Sequence, residues 1–248
     1  MRKLKIRADR SYEINIDVNF NEAISTISKK HNQILLVLPA KIAKIAKLKK
    51  YKNVKVMTVP DGEAQKDFKT VQKIWHELGK SNFSRSDAII GLGGGATTDL
   101  AGFAAASWLR GISWYAIPTS LAAMVDASIG GKTAINSPAG KNLIGAFYSP
   151  SAVYIDLDFL KTLPKRDISA GMAEVIKCGF ISDNKILNLV QRDVLDFKEI
   201  IYRTVKVKVQ VVNKDFKESK LREILNYGHT LGHAIEKHSK FKLRHGEA

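Results

Sequence analysis

At 248 residues, with 45% hydrophobic and 26% charged residues, the chain has enough apolar material for one large or two small packed domains, and its composition excludes a disordered chain. A single cysteine, Cys178, excludes a disulfide framework or a multi-cysteine metal cluster, and no apolar run reaches the roughly 18 residues of a spanning helix. The start, Met1-Arg2-Lys3-Leu4-Lys5, has no apolar segment behind it, so the chain is expected in the cytoplasm, with neither secretory signal nor membrane partner.

The net charge of +16 sits in the first 60 residues and beyond residue 160, while the middle is balanced. Residues 34–38 and 54–59 are short β-rich runs. Between them Lys41, Lys44, Lys47, Lys49 and Lys50 interleave with Ile42, Ile45 and Leu48, the pattern of an amphipathic helix with a wet lysine face. That reading needs no nucleic-acid partner. Asp61-Gly62-Glu63 with Lys66 reads as a turn ahead of a helix over 67–80, where Phe68, Val71, Ile74, Trp75 and Leu78 recur at three- and four-residue spacing. A strand at 88–91, a glycine turn, a helix over about 98–109 and a strand at 112–117 follow. This βαβ rhythm predicts a mostly parallel sheet covered by helices. From Ser169 the β signal disappears, and helices are predicted over 170–181, 185–194, 198–213 and 221–238. Thr162-Leu163-Pro164-Lys165 reads as the joint between an α/β domain of residues 1–165 and a helical domain of residues 166–248.

Gly91-Leu92-Gly93-Gly94-Gly95-Ala96 lies between a strand and a helix, where backbone N–H groups can receive a pyrophosphate. No acid follows at the distance that would hold a ribose; after Asp99 the next is Asp126, so a plain tight turn stands beside the ligand reading. Gly130-Gly131-Lys132 and, nine residues on, Gly140-Lys141-Asn142 are two glycine–lysine loops, open enough for an anion to approach the backbone but without Walker spacing. Few, placed cations in a balanced stretch point to a small anionic ligand. Glu174 and Lys177 share a helix face and read first as a surface salt bridge. Arg222, Asn226, His229 and His233, spaced four, three and four, form one polar stripe on a single predicted helix, where a packing stripe would be apolar. With His245 and a glutamate from another helix, these are donors for a catalytic zinc; spacing alone selects His229 and His233 as the ligand pair.

In order, Asp61-Gly62-Glu63-x-x-Lys66, Gly93-Gly94-Gly95-x-x-x-Asp99, Arg110-Gly111, Pro118-Thr119-Ser120, Val125-Asp126-x-Ser128-x-Gly130-Gly131-Lys132-Thr133, Gly140-Lys141-Asn142, Thr162-Leu163-Pro164, Gly171-x-Ala173-Glu174-x-x-Lys177, Leu225-Asn226-x-Gly228-His229-Thr230-x-Gly232-His233-Ala234 and His245-Gly246-Glu247 resemble the 3-dehydroquinate synthase family from about Asp61 to Ala248. The resemblance implies a Rossmann-like α/β N-terminal domain followed by an all-helical C-terminal domain, with NAD and a divalent ion, Zn²⁺ or Co²⁺, between them. It makes Glu174, His229 and His245 the metal ligands, in place of the His229–His233 pair. It assigns NAD to Asp61, Gly62, Glu63, Ala64, Gln65 and Lys66, to Gly95, Ala96, Thr97, Thr98 and Asp99, to Thr119, Ser120, Lys132 and Lys141, and to Phe159, Leu160, Lys161 and Thr162. Around a small acidic sugar-phosphate substrate it places Asp126, Lys132, Asn142 and Lys177, then Lys208, Arg222, Asn226 and His233. Arg110 matches an arginine that reaches the neighbouring subunit's site, which implies a homodimer.

The implied reaction turns 3-deoxy-D-arabino-heptulosonate 7-phosphate into 3-dehydroquinate and phosphate by transient oxidation, phosphate elimination, reduction, ring opening and an intramolecular aldol. Ser120 stands where a threonine is common. The chain ends three residues past His245, where family members continue for roughly 100 residues, an ordinary domain length; the expectation is a portion of a longer chain, without full activity alone. The rivals are a sister sugar-phosphate cyclase, a metal-dependent polyol dehydrogenase and a basic nucleic-acid-binding module.

Overall fold

A computed structural model describes residues 1–239 and 243–248, with the side chains of His233 and Lys237 outside the description. It opens with a hairpin, β1 (Arg2–Arg7) and β2 (Ser11–Ile16), followed by α1 (Phe20–Ser28). Then come β3 (Ile34–Pro39), the short α2 (Ala40–Ile45), β4 (Val54–Val59), α3 (Phe68–Lys80), β5 (Ala88–Gly93), α4 (Gly95–Ser107) and β6 (Ser113–Pro118). A second hairpin, β7 (Lys132–Ser137) and β8 (Gly140–Phe147), precedes β9 (Ala152–Ile155). Every described element after that strand is helical, the longer ones being α5 (Lys165–Ile181), α6 (Asn184–Val190), α7 (Phe197–Lys214) and α8 (His229–His238).

Seven strands form one sheet in the order β1-β2-β9-β6-β5-β3-β4, parallel except for β1 against β2. The central strands β3 and β5 are buried along their whole length, which explains their unbroken apolar runs. α3 starts where Asp67 accepts from Thr70 N at 2.7 Å, and its apolar stripe buries Val71, Ile74 and Leu78 against the sheet. The strands β5 and β6 end at Gly93 and Pro118, tied by Thr119 N donating to Gly93 O at 2.9 Å. Ligands of open parallel sheets gather beyond such carboxyl ends.

Four expectations are corrected. The predicted lysine-faced helix stops at Ile45: the Asn21 side chain takes up the backbone of both Lys47 and Lys49, at 3.0 and 2.9 Å, and holds the segment extended. The single helix over 221–238 is broken, because Leu221–Asn226 is a tight 3₁₀ turn, Tyr227 is extended, Gly228 is left-handed at φ 82° and α8 begins only at His229. The two glycine–lysine segments belong to one hairpin: Lys132 opens β7 just after the Gly130-Gly131 bend, and Gly140-Lys141-Asn142 opens β8. Finally, β1, β2 and β9 had no sequence counterpart; β1 buries only Ile6 between charged neighbours, so it lacks an apolar run.

Candidate active site

α5 carries Glu174 and Lys177 on one face, both buried rather than on the surface, with the Lys177 ammonium donating to the Glu174 carboxylate. His229 opens α8, and His245 opens the terminal 3₁₀ turn. That turn is pinned to α5: Arg166 forks onto Glu247 at 2.6 and 2.7 Å, and Arg244 pairs with Asp167. His245 Nε2 thereby lies 3.3 Å from Glu174 Oε1 and 3.2 Å from His229 Nε2, and one donor atom from each of the three residues falls within 4.8 Å of the others. Glu236 faces His245 Nδ1 at 3.3 Å, fixing the ring's orientation. Donating a hydrogen bond to the Glu174 carboxylate pushes His245 up to about 9. Burial, with Lys177 beside it, moves His229 down. Two imidazoles and a carboxylate form an N/O donor set that suits zinc with open positions.

Beside this trio lies a second ion pair, between the buried Lys208 and the half-buried Asp126. A one-turn π-helix, Ala123–Ala127, presents Asp126, and Lys208 of α7 donates to both its carbonyl, at 2.7 Å, and its carboxylate. Burial alone would raise the Asp126 carboxyl; Lys208 and Lys177 outweigh it and hold it well below the usual range. Lys208 itself is moved down, because burial exceeds what Asp126 returns. Arg222 is likewise buried. It is aimed by the preceding turn, in which the Asp215 carboxylate accepts the N–H groups of Ser219, Lys220 and Arg222 at 2.9, 2.9 and 3.0 Å. The guanidinium donates to Phe216 O, lies 5.9 Å over the Phe147 ring and fits beneath Gly130. A Cβ there would stand 2.5 Å from Arg222 Nη2, and φ of 97° favours glycine independently.

These groups converge on a cavity of 590 Å³. Asp99 and Asp126 line one side, Lys132 and Asn142 come from the hairpin, and Lys208, Arg222, Asn226, His229 and His245 complete it. At the β5–α4 turn, Gly94 caps α4 and Lys66 is buried between Asp99, at 2.6 Å, and the side-chain oxygen of Asn142. Burial pushes the Asp99 carboxyl up to about 6, against the pull of Lys66. Among the described residues Gln65 Oε1 and Thr97 Oγ1 are buried without a partner, and Gly95 leaves a gap that a Cβ would close to 2.9 Å from Ala127. Unpaired oxygens and bare backbone on the 62–65 turn and at the α4 N-terminus fit a bound dinucleotide.

Glu174, His229 and His245 form the donor group among the described residues; the His229–His233 pair selected by spacing includes a side chain outside them. Phe159 and Thr162 line a different pocket, of 290 Å³, with Asn19 and Asp156. Leu160 is buried and Lys161 exposed. Lys141 is 3.9 Å from Glu236, and Ser120 Oγ would stand 3.4 Å from a Cβ on Gly94. Arg110 is exposed in a left-handed turn, φ 64°, away from the cavity. Sequence reasoning missed Glu218, which takes Asn226 Nδ2 at 2.8 Å and pairs with Lys132. Its one signal, a position four before Arg222, was hidden in the charged run Lys214-Asp215-Phe216-Lys217-Glu218.

The N-terminal model of the 3-dehydroquinate synthase family matches residues 56–170, and its C-terminal model residues 171–248. A 3-dehydroquinate synthase of Corynebacterium diphtheriae is 46% identical over 263 positions, covering 100% of this chain and 73% of the relative. One from Paenarthrobacter aurescens is 56% identical, over 77% of this chain and 54% of its own length. The solved 2-deoxy-scyllo-inosose synthase complexed with carbaglucose-6-phosphate, NAD⁺ and Co²⁺ superposes with a TM-score of 0.82 at 27% identity, covering 99% of this chain and 72% of that one. A 2-epi-5-epi-valiolone synthase from Streptomyces hygroscopicus shares the fold, with a TM-score of 0.85 at 23% identity, over 99% of this chain and 73% of that one.

Proposed function

We propose, from the premise that the chain belongs to the 3-dehydroquinate synthase family, that it carries the NAD- and metal-dependent site converting 3-deoxy-D-arabino-heptulosonate 7-phosphate to 3-dehydroquinate and phosphate. The observation that carries this reading is one cavity, lined by His229 and His245 of the metal-ligand trio together with Lys132, Lys208 and Arg222. Glu174, His229 and His245 would hold Zn²⁺ or Co²⁺, and the 61–66 turn with the start of α4 would hold NAD. When bound, the dinucleotide accepts and returns a hydride, and the ion lowers the pKa of the hydroxyl it meets.

The chain's own residues orient and neutralise. Arg222 offers a planar fork to a carboxylate or phosphate, and the Asp215 turn keeps that fork aimed. Lys132, at the hairpin's base, is held by Glu218 as Lys208 is by Asp126, so the cavity offers positive charge without free flexible chains. The Phe147 ring, backed by Phe216 at 5.5 Å, supplies an apolar wall beside Arg222.

On this reading residues 1–165 are the dinucleotide-binding domain and residues 166–248 the helical metal- and substrate-binding domain, in a cytoplasmic homodimer that Arg110 joins across subunits. What supports a small-molecule partner over nucleic acid is that the cavity's Lys208 and Arg222 are buried and singly placed. No described helix is long and apolar enough to cross a membrane. A second reading, a sister sugar-phosphate cyclase, is favoured by the deoxy-inosose synthase likeness. Phosphate release assayed with NAD⁺ and Zn²⁺ separates the two. Release from the heptulosonate phosphate, abolished by chelator and leaving no net NADH, is the expected result; release from glucose 6-phosphate alone would reject the first reading.

A further inference from the structure

The β7–β8 register shifts between Ile135 and Ser137, which places Asn136 at a bulge. Ile135 pairs with Ile144 and Ser137 with Gly140, so Asn136 alone faces Lys141, Asn142 and Leu143, and the extra length lies on β8. The backbone N–H of Asn136 is used outside the hairpin, donating to Lys66 O at 2.8 Å. Its carboxamide is used at both ends: Nδ2 donates to Glu63 Oε1 at 2.8 Å, and Oδ1 accepts from Asn142 N at 2.9 Å. Asn142 is itself left-handed, φ 58°, a conformation that persists when its surroundings hold it. From there Asn142 Oδ1 accepts from Lys66 Nζ, which also holds Asp99. The 61–66 turn and the hairpin tip are therefore joined in a closed circuit through Asn136.

We propose that Asn136 is a positioning residue that ties Glu63, on the dinucleotide-binding turn, to Asn142, on the substrate side of the cavity. This rests on the functional reading above, since it takes the 61–66 turn to meet NAD. A residue that merely filled the hairpin would not need donor and acceptor each matched to a different segment. Asn136→Asp keeps the shape and the acceptor for Asn142 N–H but sets a carboxylate against Glu63.

Titration calorimetry with NAD⁺ then reads the coupling. Asn136→Asp weakens binding by about tenfold in the wild-type background, the scale of one hydrogen bond replaced by a repulsion. In a Glu63→Gln background the same substitution changes affinity by less than about twofold, because donor and acceptor have exchanged places. Equal losses in both backgrounds, or no loss in the wild type, would overturn the proposal. If Asn136→Asp alone does not fold, the doubly substituted chain must fold and bind NAD⁺; its failure overturns the proposal equally. A wild-type chain that binds no NAD⁺ overturns the functional reading, and the proposal falls with it.

Discussion

Asp99 and Asp126 face one cavity and are both desolvated, yet their carboxyls move in opposite directions. Lys208 and Lys177 both act on Asp126, whereas Asp99 has only Lys66, whose ammonium it shares with Asn142. The consequence for Asp99 is a folded-state value of about 6, above the 3.8 of a free carboxyl. Its contribution to stability is thus full below about pH 4, falls as pH rises through about 6, and is level beyond; the two-unit shift amounts to something on the order of 3 kcal/mol. A ¹³C carboxyl titration should place the Asp99 midpoint near 6, and a midpoint under 4 would show that Lys66 outweighs burial. Arg222 makes a different argument, from shape. Arg222→Lys keeps the charge and loses the planar fork, so kcat/KM should fall by about 10- to 100-fold, mostly through KM.

At the scale of elements, the Asp215 turn and the Gly130 bend of the hairpin's approach meet at Arg222. Gly130→Ala drives a methyl into the guanidinium, so it should raise KM as Arg222→Lys does, and the two together should cost little more than either alone. Strict additivity in steady-state kinetics would mean that the contact does not matter. The elements readable from sequence are those whose burial is periodic or continuous: β3, β5, α3 and the long helices. The hairpin β7–β8 was hidden because neither strand alternates: β7 buries three residues in succession and β8 is mostly exposed along its length. The helix break at Tyr227–Gly228 was hidden for a related reason. The polar stripe at 222, 226, 229 and 233 keeps helical spacing through the break, so periodicity extends where the backbone does not. The ligand trio needed Glu174 and His245, far apart in sequence, to meet, which spacing within one helix has no means of showing.

For the whole molecule, the candidate metal trio Glu174, His229 and His245 joins three separate helical segments, α5, the start of α8 and the terminal turn. An ion bound there staples them. Zn²⁺ at a hundredfold excess over its Kd should add about 2.7 kcal/mol and raise Tm by about 5–10 °C, reversibly with chelator, and His245→Ala should abolish the shift. An unchanged melting curve would argue that the segments are already fixed without it. The β7–β8 ribbon has a comparable reach: its tip touches the 61–66 turn, while at its base Lys132 pairs in register with Phe147, over whose ring Arg222 lies. A stiff ribbon that spans two binding surfaces makes their occupancies exchangeable currency. Whatever factor one ligand adds to the other's affinity must be returned undiminished in the opposite direction, so tightening measured for the sugar phosphate in the presence of dinucleotide gives, without a second experiment, the factor by which that bound sugar phosphate tightens the dinucleotide.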